Sequence, residues 1–519
     1  MMVPVTKMDP RVALRQAVKR KYALSDEDIV GLEIRKKSLD ARKKSSIKFI
    51  YQLDLEVQDE AGFLRAQKDL DPSPPLKTAN LYDGIDRPKF RHPPVIIGSG
   101  PAGSFAALVL AGMDIPCVVV ERGEPVEDRL RTASGLKRGK FKKESNFCYG
   151  EGGAGTFSDG KLTCGRNHPL VREVFRRFVE FGAPKEILYD AHPHMGTDFL
   201  LKIAKNQRSY LQSQGCTFRF NERFDGFQSG GAHARFKLQL SSGDTLDTDH
   251  VILATGHSAR ETYEMLYDNG VAIEPKPFAI GARFEHPQAA IDRIQFGQCQ
   301  LLPPAEYKLA AKVENRGIWT FCMCPGGFLL PTGADEGHLA INGMSYHARS
   351  SGFANAAVVV NVKREDFYQG HPLDGIKFQA QLEREAFMAG GGGYHAPGQR
   401  LVDFLAGRKS TGELKSTYKP GVTPARMDQL LPEFVVESLK GALDGYNRKM
   451  KGFICDDAMV VGLESKTSAP VCLPRDPSLQ SHSHPGLFPC GEGAGYAGGI
   501  VSAALDGLKV GQAVLRSMV

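Results

Sequence analysis

The sequence has ten cysteines in 519 residues, yet it lacks the patterns that usually give cysteine a structural role. It contains no Cys-x-x-Cys pair and no regular cysteine spacing, so it does not indicate a disulfide scaffold. The N-terminal stretch MMVPVTKMDPRVALRQAVKRKYAL places charges where a signal peptide needs an apolar core. We therefore expect reduced, mostly buried thiols in a cytoplasmic protein. No residue cluster suggests a bound metal, and no nucleophile–base triad is visible.

A convincing membrane-spanning segment is also lacking. Residues 95–113 carry no charge and are about long enough to span a bilayer. The first half of this stretch contains three glycines and Pro101, which disfavour a continuous spanning helix. We interpret it as a buried strand, a turn and a helix, and we expect no membrane association.

The net charge of +7 is modest, and the basic clusters at 19–21, 35–37 and 42–44 all lie near the N-terminus. Such clusters can contact nucleic acid or anionic partners. No RNA-binding signature and no interleaved aromatic residues accompany them. We therefore interpret them as solvated basic faces of a small domain, and nucleic acid is not expected as a partner.

The length predicts two or three domains, because a single hydrophobic core rarely grows to 519 residues. The N-terminal part is predicted to be a small α+β unit with a helix around 12–20 and strands at 30–38 and 46–57. The Pro-, Asp- and Lys-rich residues 71–94 have the composition of a linker. The predicted division is an N-terminal domain at 1–90, a dinucleotide-binding domain at 91–274 and 456–519, and an inserted α+β substrate domain at 275–455.

The most informative stretch is VIIGSGPAGSFAALVLAGMDIPCVVVER at 95–122. Gly98, Gly100 and Gly103 have the Gly-x-Gly-x-x-Gly spacing that follows a buried strand and opens a helix in dinucleotide-binding proteins. Glu121 ends the second strand, where a carboxylate accepts hydrogen bonds from ribose hydroxyls and disfavours a 2′-phosphate. This stretch therefore predicts binding of FAD or NAD rather than NADP.

Two further glycine-rich stretches extend the predicted site. The first, at 147–166, contains six glycines among apolar and aromatic residues, which favours a packed ligand-lining loop over a flexible surface loop. The second, at 486–515, repeats the glycine spacing but is not followed by a second strand–helix–strand unit with an acid. We interpret it as a helix N-terminus directed at the far end of the first ligand. A second, distant anchor of this kind favours FAD over NAD.

Three separated segments, VIIGSGPAG with Glu121, ILATG, and GLFPCGEGAGYAGG, together resemble the glutathione-reductase-like FAD superfamily. More closely, GGAGTFSDGKL, ATGHSAR, KPFAIGARFEHPQ, FCMCPGG and GEGAGYAGGIVSAA are similar to an uncharacterised bacterial FAD-dependent dehydrogenase family. The resemblance implies an α/β fold. Its Rossmann-like FAD-binding domain would have a parallel sheet with an antiparallel β-meander, assembled from discontinuous segments, together with an inserted α+β substrate domain and a small N-terminal α+β domain.

The resemblance also implies a set of cofactor-binding residues. The superfamily usually has Gly-Asp near its C-terminus where this chain has Gly491 and Glu492, so the contact of the longer acid is open. The start of the last helix would present backbone N–H groups to the pyrimidine edge of the flavin. The implied FAD-binding residues are Gly98, Gly100, Pro101, Ala102, Gly103, Glu121, Arg122, Arg129, Gly153, Ala154, Gly155, Thr156, Phe224, Ala254, Thr255, Gly256, Gly491, Glu492, Gly498, Gly499 and Ile500.

Hydride transfer with flavin needs an oriented substrate and one group that donates or accepts a proton. Lys161, His257 and Tyr496 are the candidates, and each also has an ordinary structural interpretation. Cys322 and Cys324 lie two apart in a predicted strand and would share a face. We interpret them as two core thiols, with a redox pair as the alternative.

We therefore predict an FAD-dependent oxidoreductase, a dehydrogenase or reductase acting on a small organic substrate held between the FAD domain and the inserted domain. Any nicotinamide dinucleotide would bind transiently, since the chain offers no second complete domain for it. One alternative is an FAD-dependent monooxygenase that uses NAD(P)H and oxygen. Another is a flavin-binding adaptor whose basic N-terminal domain contacts nucleic acid or protein.

Overall fold

The computed structural model describes residues 1–4, 9–67, 69–70, 72, 80–136, 140–165, 167–299 and 301–517. The N-terminal unit is a three-stranded antiparallel sheet in the order β1-β3-β2 with two helices. The predicted helix and both predicted strands are confirmed, and the predicted linker at 71–94 lies partly outside the described residues. The elements are β1 Met2–Pro4, α1 Pro10–Tyr22, β2 Ile29–Asp40, β3 Lys48–Val57 and α2 Glu60–Ala66.

The next part of the chain alternates strands and helices before it forms a small meander. Asn221 adopts a left-handed conformation with a φ of 56°, and it separates a strand that ends at Phe220 from one that begins at Phe224. The elements are β4 Val95–Ile97, α3 Pro101–Ala111, β5 Val118–Glu121, α4 Val126–Gly135, α5 Leu170–Glu180, α6 Gly196–Ser213, β6 Thr217–Phe220, β7 Phe224–Ser229, β8 Phe236–Leu240, β9 Thr245–Thr248, β10 Val251–Leu253 and α7 Arg260–Asp268. Two short 3₁₀ helices at Ala154–Phe157 and Lys185–Leu188 lie between α4 and α6.

The inserted part is built on a long mixed sheet with helices packed against it. Its elements are β11 Glu274–Pro275, β12 Phe278–Pro287, α8 Gln288–Phe296, β13 Ala310–Val313, β14 Arg316–Cys324, β15 Phe328–Pro331, β16 Ile341–Met344, β17 Phe353–Val362, a 3₁₀ helix at Arg364–Asp366, α9 Asp374–Ala389, β18 Ala396–Arg400, α10 Leu401–Ala406, β19 Val422–Pro424, α11 Met427–Leu430, α12 Glu433–Lys449 and β20 Met459–Glu464. Seven strands form one sheet in the order β13-β14-β17-β12-β20-β18-β19. One large core cluster contains the apolar side chains of β12, β17 and α12.

The position of β20 corrects the predicted domain boundary. The sequence division ended the inserted domain at 455 and assigned the following residues to the dinucleotide-binding domain. In the structure β20 lies inside the seven-stranded sheet, antiparallel to both β12 and β18. The buried ion pair between Arg283 of β12 and Glu464 of β20, with 2.8 Å between Nε and Oε2, joins the two strands. The inserted domain therefore extends through β20.

The chain then completes the first domain with β21 Val471–Cys472, β22 Leu487–Pro489 and α13 Ile500–Arg516. The resulting five-stranded sheet has the order β22-β10-β4-β5-β6, and every neighbouring pair is parallel. Strands β7, β8 and β9 form the predicted antiparallel meander. This confirms a parallel sheet with a meander assembled from discontinuous segments. None of the helices among the described residues is both long and apolar enough to cross a membrane.

Helices α3 and α13 pack so closely that two glycines of α13 lie against the backbone of α3. A Cβ atom on Gly507 would lie 2.1 Å from the carbonyl oxygen of Ala102. A Cβ atom on Gly511 would lie 3.1 Å from the carbonyl oxygen of Ala106. Because α3 follows the first glycine turn and α13 follows the last, this contact fixes the two turns relative to each other.

We expect Gly507→Ala to destabilise the protein, although alanine favours helix by ~1 kcal/mol over glycine. Overpacking against the α3 backbone costs ~1–3 kcal/mol and outweighs that gain. Chemical unfolding of both proteins gives the difference. Gly393→Ala is the matched control, since nothing lies within 4 Å of a Cβ there. Equal stability of the Gly507→Ala variant and the parent would contradict the close packing.

Candidate functional site

A cleft of about 1520 Å³, including its open mouth, runs between the five-stranded parallel sheet and the seven-stranded sheet. The residues that end β4 and β5 or directly follow β10 and β22 line its wall: Ile97, Glu121, Ala254 and Cys490. Ligands of open parallel sheets bind at these carboxyl ends of the strands. The other wall comes from Phe321, Cys322, Asn342 and Gly343 of the inserted domain and from Thr467, which follows β20.

Close contacts with neighbouring backbone require glycine at two positions of the first turn. Gly98 has a φ of 104°, and a Cβ atom on it would lie 2.3 Å from the carbonyl oxygen of Ala254. Gly103 packs the helix on the strand, because a Cβ atom there would lie 2.0 Å from the carbonyl oxygen of Gly98. Gly103 therefore acts behind the cleft, whereas Gly98 and Gly100 line it.

Three helical N-termini converge on the middle of the cleft: those of α3, of the 3₁₀ turn Ala154–Phe157, and of α13. A Cβ atom on Gly153 would lie 3.2 Å from Gly100 Cα, and one on Gly155 would lie 3.0 Å from Ile500 Cγ1. A side chain at Gly153 would push two backbone segments apart, and one at Gly155 would press on the Ile500 side chain. The N–H groups at helix starts have no partners within the helix and attract anions, so this arrangement fits a pyrophosphate.

Glu121 is buried at the end of β5, and both of its carboxylate oxygens accept hydrogen bonds from protein groups. Oε2 accepts from the backbone N–H and the hydroxyl of Ser99, at 3.0 and 2.7 Å. Oε1 accepts from the N–H groups of Gly123 and Gly150, at 2.9 and 3.2 Å. Glu121 thus holds the first glycine turn against the glycine-rich loop while it lines the cleft.

Arg129 was predicted to bind the cofactor, and the structure corrects this. Its side chain is fully buried and donates to five backbone carbonyls of the glycine-rich loop, those of Asn146, Phe147, Gly150, Glu151 and Gly153. Burial lowers the pKa of the guanidinium to about 10. Because its guanidinium donates to the carbonyls of the loop, Arg129 is a positioning residue that fixes the conformation of the loop. The residues that follow, Ala154 and Gly155, line the cleft.

Three other predicted site residues also lie outside the cleft lining. The ring of Tyr496 stacks under the Arg475 guanidinium, 3.7 Å from its centroid, and its hydroxyl donates to the carbonyl of Leu473. Thr156 is buried behind the 3₁₀ turn, and Gly491 packs against Ala102 of α3. The tertiary packing of the last turn directs Tyr496 away from the cleft, so it is not a catalytic candidate.

The remaining predicted residues do line the cleft. Arg122 covers the Tyr149 ring at 3.9 Å and pairs with Glu144 and Glu261 near Phe224. The catalytic candidates Lys161 and His257 also line the cleft. The other predicted FAD-binding residues on its walls, beyond Arg122, Glu121, Ala154, Gly155 and Ala254, are Gly98, Gly100, Pro101, Ala102, Gly153, Phe224, Thr255, Gly256, Glu492, Gly498, Gly499 and Ile500.

Cys322 and Cys324 do not share one face of the strand, although the alternation of side chains along a strand predicted that they would. A β-bulge lies between Phe321 and Cys324, and Cys322 adopts a φ of 40°. The extra residue breaks the two-residue period, so Cys322 lines the cleft while Cys324 is buried. The prediction of two core thiols is therefore wrong for Cys322. Motifs gave no signal for Asn342, Lys466 or Thr467.

A buried network of hydrogen bonds around Arg283 holds the wall of the cleft that the inserted domain provides. The Arg283 guanidinium donates to the carbonyl of Cys322 at 2.8 Å, to Asn355 Oδ1 at 3.2 Å and to Asn342 Oδ1. Its partner Glu464 is fully buried. Arg283 therefore holds both the bulge and the Asn342 side chain in position without facing the cleft.

His257 and Glu492 lie side by side in the cleft, with 3.8 Å between Nδ1 and Oε1. Burial lowers the pKa of His257 to about 3, so the imidazole is neutral at physiological pH. Burial raises the pKa of Glu492 to about 7. Lys466 Nζ donates to Ser258 Oγ at 3.2 Å on the adjacent segment. This part of the cleft holds one carboxyl group that exchanges a proton near neutral pH.

Two family models match this chain. Residues 277–467 match a model described as "FAD-dependent protein, C-terminal domain-like". Residues 2–56 match a domain of unknown function. The first match ends just after β20 and agrees with the corrected boundary of the inserted domain.

One curated relative and two solved structures are similar to this chain over most of its length. A protein of Clostridium beijerinckii described as uncharacterized is 41% identical over 515 residues, covering 97% of this chain and 96% of that protein. A glycine oxidase from Geobacillus kaustophilus is 12% identical, with a TM-score of 0.33 over 82% of this chain and 95% of its own. The flavin-dependent halogenase CmlS is 13% identical, with a TM-score of 0.36 over 82% of this chain and 58% of its own.

The glycine cradle, the cleft and the matched family model define a flavoprotein, and its cofactor is FAD. Within this class, the chain belongs to the same family as the clostridial protein.

We expect Arg129→Lys to weaken FAD binding at least about tenfold. A lysine has three donors on one atom and leaves buried carbonyls unpaired, at ~1–3 kcal/mol each. Fluorescence titration with FAD measures the dissociation constant. Arg131→Lys, two residues away on α4 and exposed, is the matched control and should bind FAD normally. Unchanged affinity in both variants would contradict the positioning role of Arg129.

Glu492 predicts a pH dependence of stability. Its pKa is about 7 in the folded protein and 4.5 in the unfolded chain. Because the unfolded chain loses this proton more readily, the free energy of unfolding is highest below pH ~4.5 and falls as the pH rises toward and through 7. Glu492→Gln removes this decline and should gain up to ~3 kcal/mol relative to the parent protein by pH ~8. Urea unfolding of FAD-free protein at several pH values measures it. The exposed Glu437→Gln should leave the profile unchanged.

Proposed function

We propose that this protein is an FAD-dependent oxidoreductase that transfers hydride equivalents between FAD and a small organic substrate. The observation that carries the proposal is the continuity of one cleft from Gly98 and Glu121 to Cys322 and Asn342 of the inserted domain. A dinucleotide anchored at the glycine turn would extend toward that second wall. The substrate would lie between the end of the cofactor and the inserted domain.

The first role of the chain's own residues is to hold the cofactor. Backbone N–H groups at the starts of α3 and α13 would bind anionic groups, because helix N-termini carry partial positive charge. FAD supplies the two-electron chemistry when bound. The N–H groups at Gly499 and Ile500 would stabilise negative charge that develops at the reacting end of the cleft.

The second role is to position the substrate and to move a proton. Asn342 Oδ1 is fixed by Arg283, so the orientation of this amide on the cleft wall is set by the inserted domain. Lys161 lines the cleft, and its Nζ donates to Glu306 Oε2 at 2.6 Å. Among the predicted acid–base candidates Lys161 is therefore favoured, since a pKa of about 3 makes the buried imidazole of His257 a weak base and Tyr496 lies outside the cleft. Proton transfer by such a group typically contributes 10²–10⁴-fold to the rate.

We further propose that this is the dehydrogenase or reductase chemistry of the glutathione-reductase-like superfamily. The cytoplasm is the proposed compartment, and any nicotinamide dinucleotide would bind transiently. These proposals rest on the sequence motifs and on the absence of a second complete dinucleotide unit among them.

The purified protein should show a flavin absorbance spectrum, and mass spectrometry of the released chromophore should identify FAD. Anaerobic mixing with panels of small amines, amino acids and hydroxy acids should bleach the flavin for at least one class and yield its dehydrogenated product. NAD(P)H and oxygen consumption with a hydroxylated product would favour the monooxygenase alternative instead. A protein without flavin, even after incubation with FAD, would refute the proposal.

A further inference from the structure

Three ionisable side chains form a series of hydrogen bonds between the cleft and the protein surface. Lys161 Nζ donates to Glu306 Oε2 at 2.6 Å, and Glu306 Oε1 lies 2.9 Å from His192 Nδ1. Lys161 lines the cleft, whereas 72% of the His192 side chain is exposed. Glu306 uses one oxygen for each neighbour and so connects the two.

The backbone explains why these groups meet. Lys161 follows Gly160, whose φ of 67° turns the glycine-rich loop, and it forms an isolated antiparallel bridge with His194. His192 lies two residues before His194 on the same short segment. This bridge therefore holds His192 close to Lys161. Glu306, in the segment between α8 and β13, lies between the two side chains.

The charges of neighbouring groups shift the pKa values of Glu306 and His192. Burial acts to raise the pKa of Glu306, but the hydrogen bond from His192 and the charge of Lys161 hold it well below its ordinary value. The same hydrogen bond raises the pKa of His192. The middle group is thus a carboxylate that accepts one hydrogen bond from each neighbour.

The other charged groups nearby have partners of their own. Asp159, 3.5 Å from Lys161 Nζ, accepts hydrogen bonds from Arg349 at 2.7 Å and from Ser345 at 2.5 Å. Asp190, close to His192, pairs with Lys37 of the N-terminal unit at 3.7 Å. Burial lowers the pKa of His194 to about 4, so it is neutral.

We propose that Lys161, Glu306 and His192 form a proton relay between the cleft and the solvent. This inference rests on the proposed function. During substrate reduction, a hydride from reduced FAD forms a C–H bond on the substrate, and the substrate heteroatom, which keeps the electron pair of the former double bond, takes up one proton. Lys161, whose Nζ donates to Glu306 Oε2 and lies 3.5 Å from Asp159, supplies that proton.

Three transfers return the series to its starting state. His192 passes the proton on Nδ1 to Glu306 Oε1, the carboxyl group turns and passes it to the deprotonated Nζ of Lys161, and the exposed imidazole of His192 takes up one proton from water. One proton leaves the series at the cleft, and one enters it at the surface.

The connection is tested first by NMR titration of His192 in the FAD-loaded protein. Glu306→Gln should lower the pKa of His192 toward ~6.5, because the carboxylate is removed. Lys161→Met should raise it, because a competing cation is lost from the cleft. A His192 pKa that does not respond to Lys161→Met would overturn the relay, since the two ends would then be uncoupled.

Proton transfer itself is tested by reoxidation of the dithionite-reduced protein with dissolved oxygen. The anionic reduced flavin and oxygen consume one proton for each hydrogen peroxide formed, so no natural substrate is needed. His192→Ala should slow this step at least about tenfold, and added imidazole should restore it, because the removed side chain is exposed. His233→Ala, an exposed histidine in the turn before β8, should behave like the parent protein.

The flavin spectrum of each protein separates the two hypotheses. A parent protein without FAD refutes the proposed function and the relay together. FAD-loaded protein whose reoxidation rate is unchanged in His192→Ala, or is slowed but not restored by imidazole, overturns the relay alone. A slower rate restored by imidazole, together with the NMR response to Lys161→Met, supports it.

Discussion

The close approach of backbone segments around the cleft is the constraint on which the rest of the structure depends. Gly98 touches the segment after β10 and Gly103 touches Gly98, at distances that leave no room for a Cβ atom, and Gly153 packs tightly against Gly100. These contacts join residues from widely separated parts of the chain. They bring the helical N-termini together, and that convergence turns a parallel sheet into a site for a dinucleotide.

Two fully buried arginines organise the opposite walls of this site, each without facing a ligand. Arg129 gathers the carbonyls of the glycine-rich loop, and Arg283 holds Cys322 and Asn342 on the inserted domain. A buried guanidinium is costly to desolvate unless its donors are paired, and both side chains meet that condition through many acceptors. The two walls are thus positioned by charges that lie behind them.

Much of the first domain could be predicted, because its signals are local. The glycine spacing, the apolar strands and the meander each depend on residues close in sequence, and the resemblance pointed to FAD. The errors have physical causes that no local pattern contains. Tyr496 packs under Arg475, the bulge reversed the side on which Cys322 lies, and β20 pairs with β12, which begins some 180 residues earlier.

The sequence by itself determined the cofactor class, the glycine turns and the strands that precede them. Turn conformation and the periodicity of hydrophobic residues depend on residues that are neighbours in the sequence. Only the tertiary structure decided which side chains share the cleft. It joined Lys161 to Glu306 and His192, placed Arg129 behind the loop, and set Glu492 beside His257. Proximity between distant residues, and the burial that shifts their pKa values, arise from packing of the whole chain, and a linear pattern does not contain that packing.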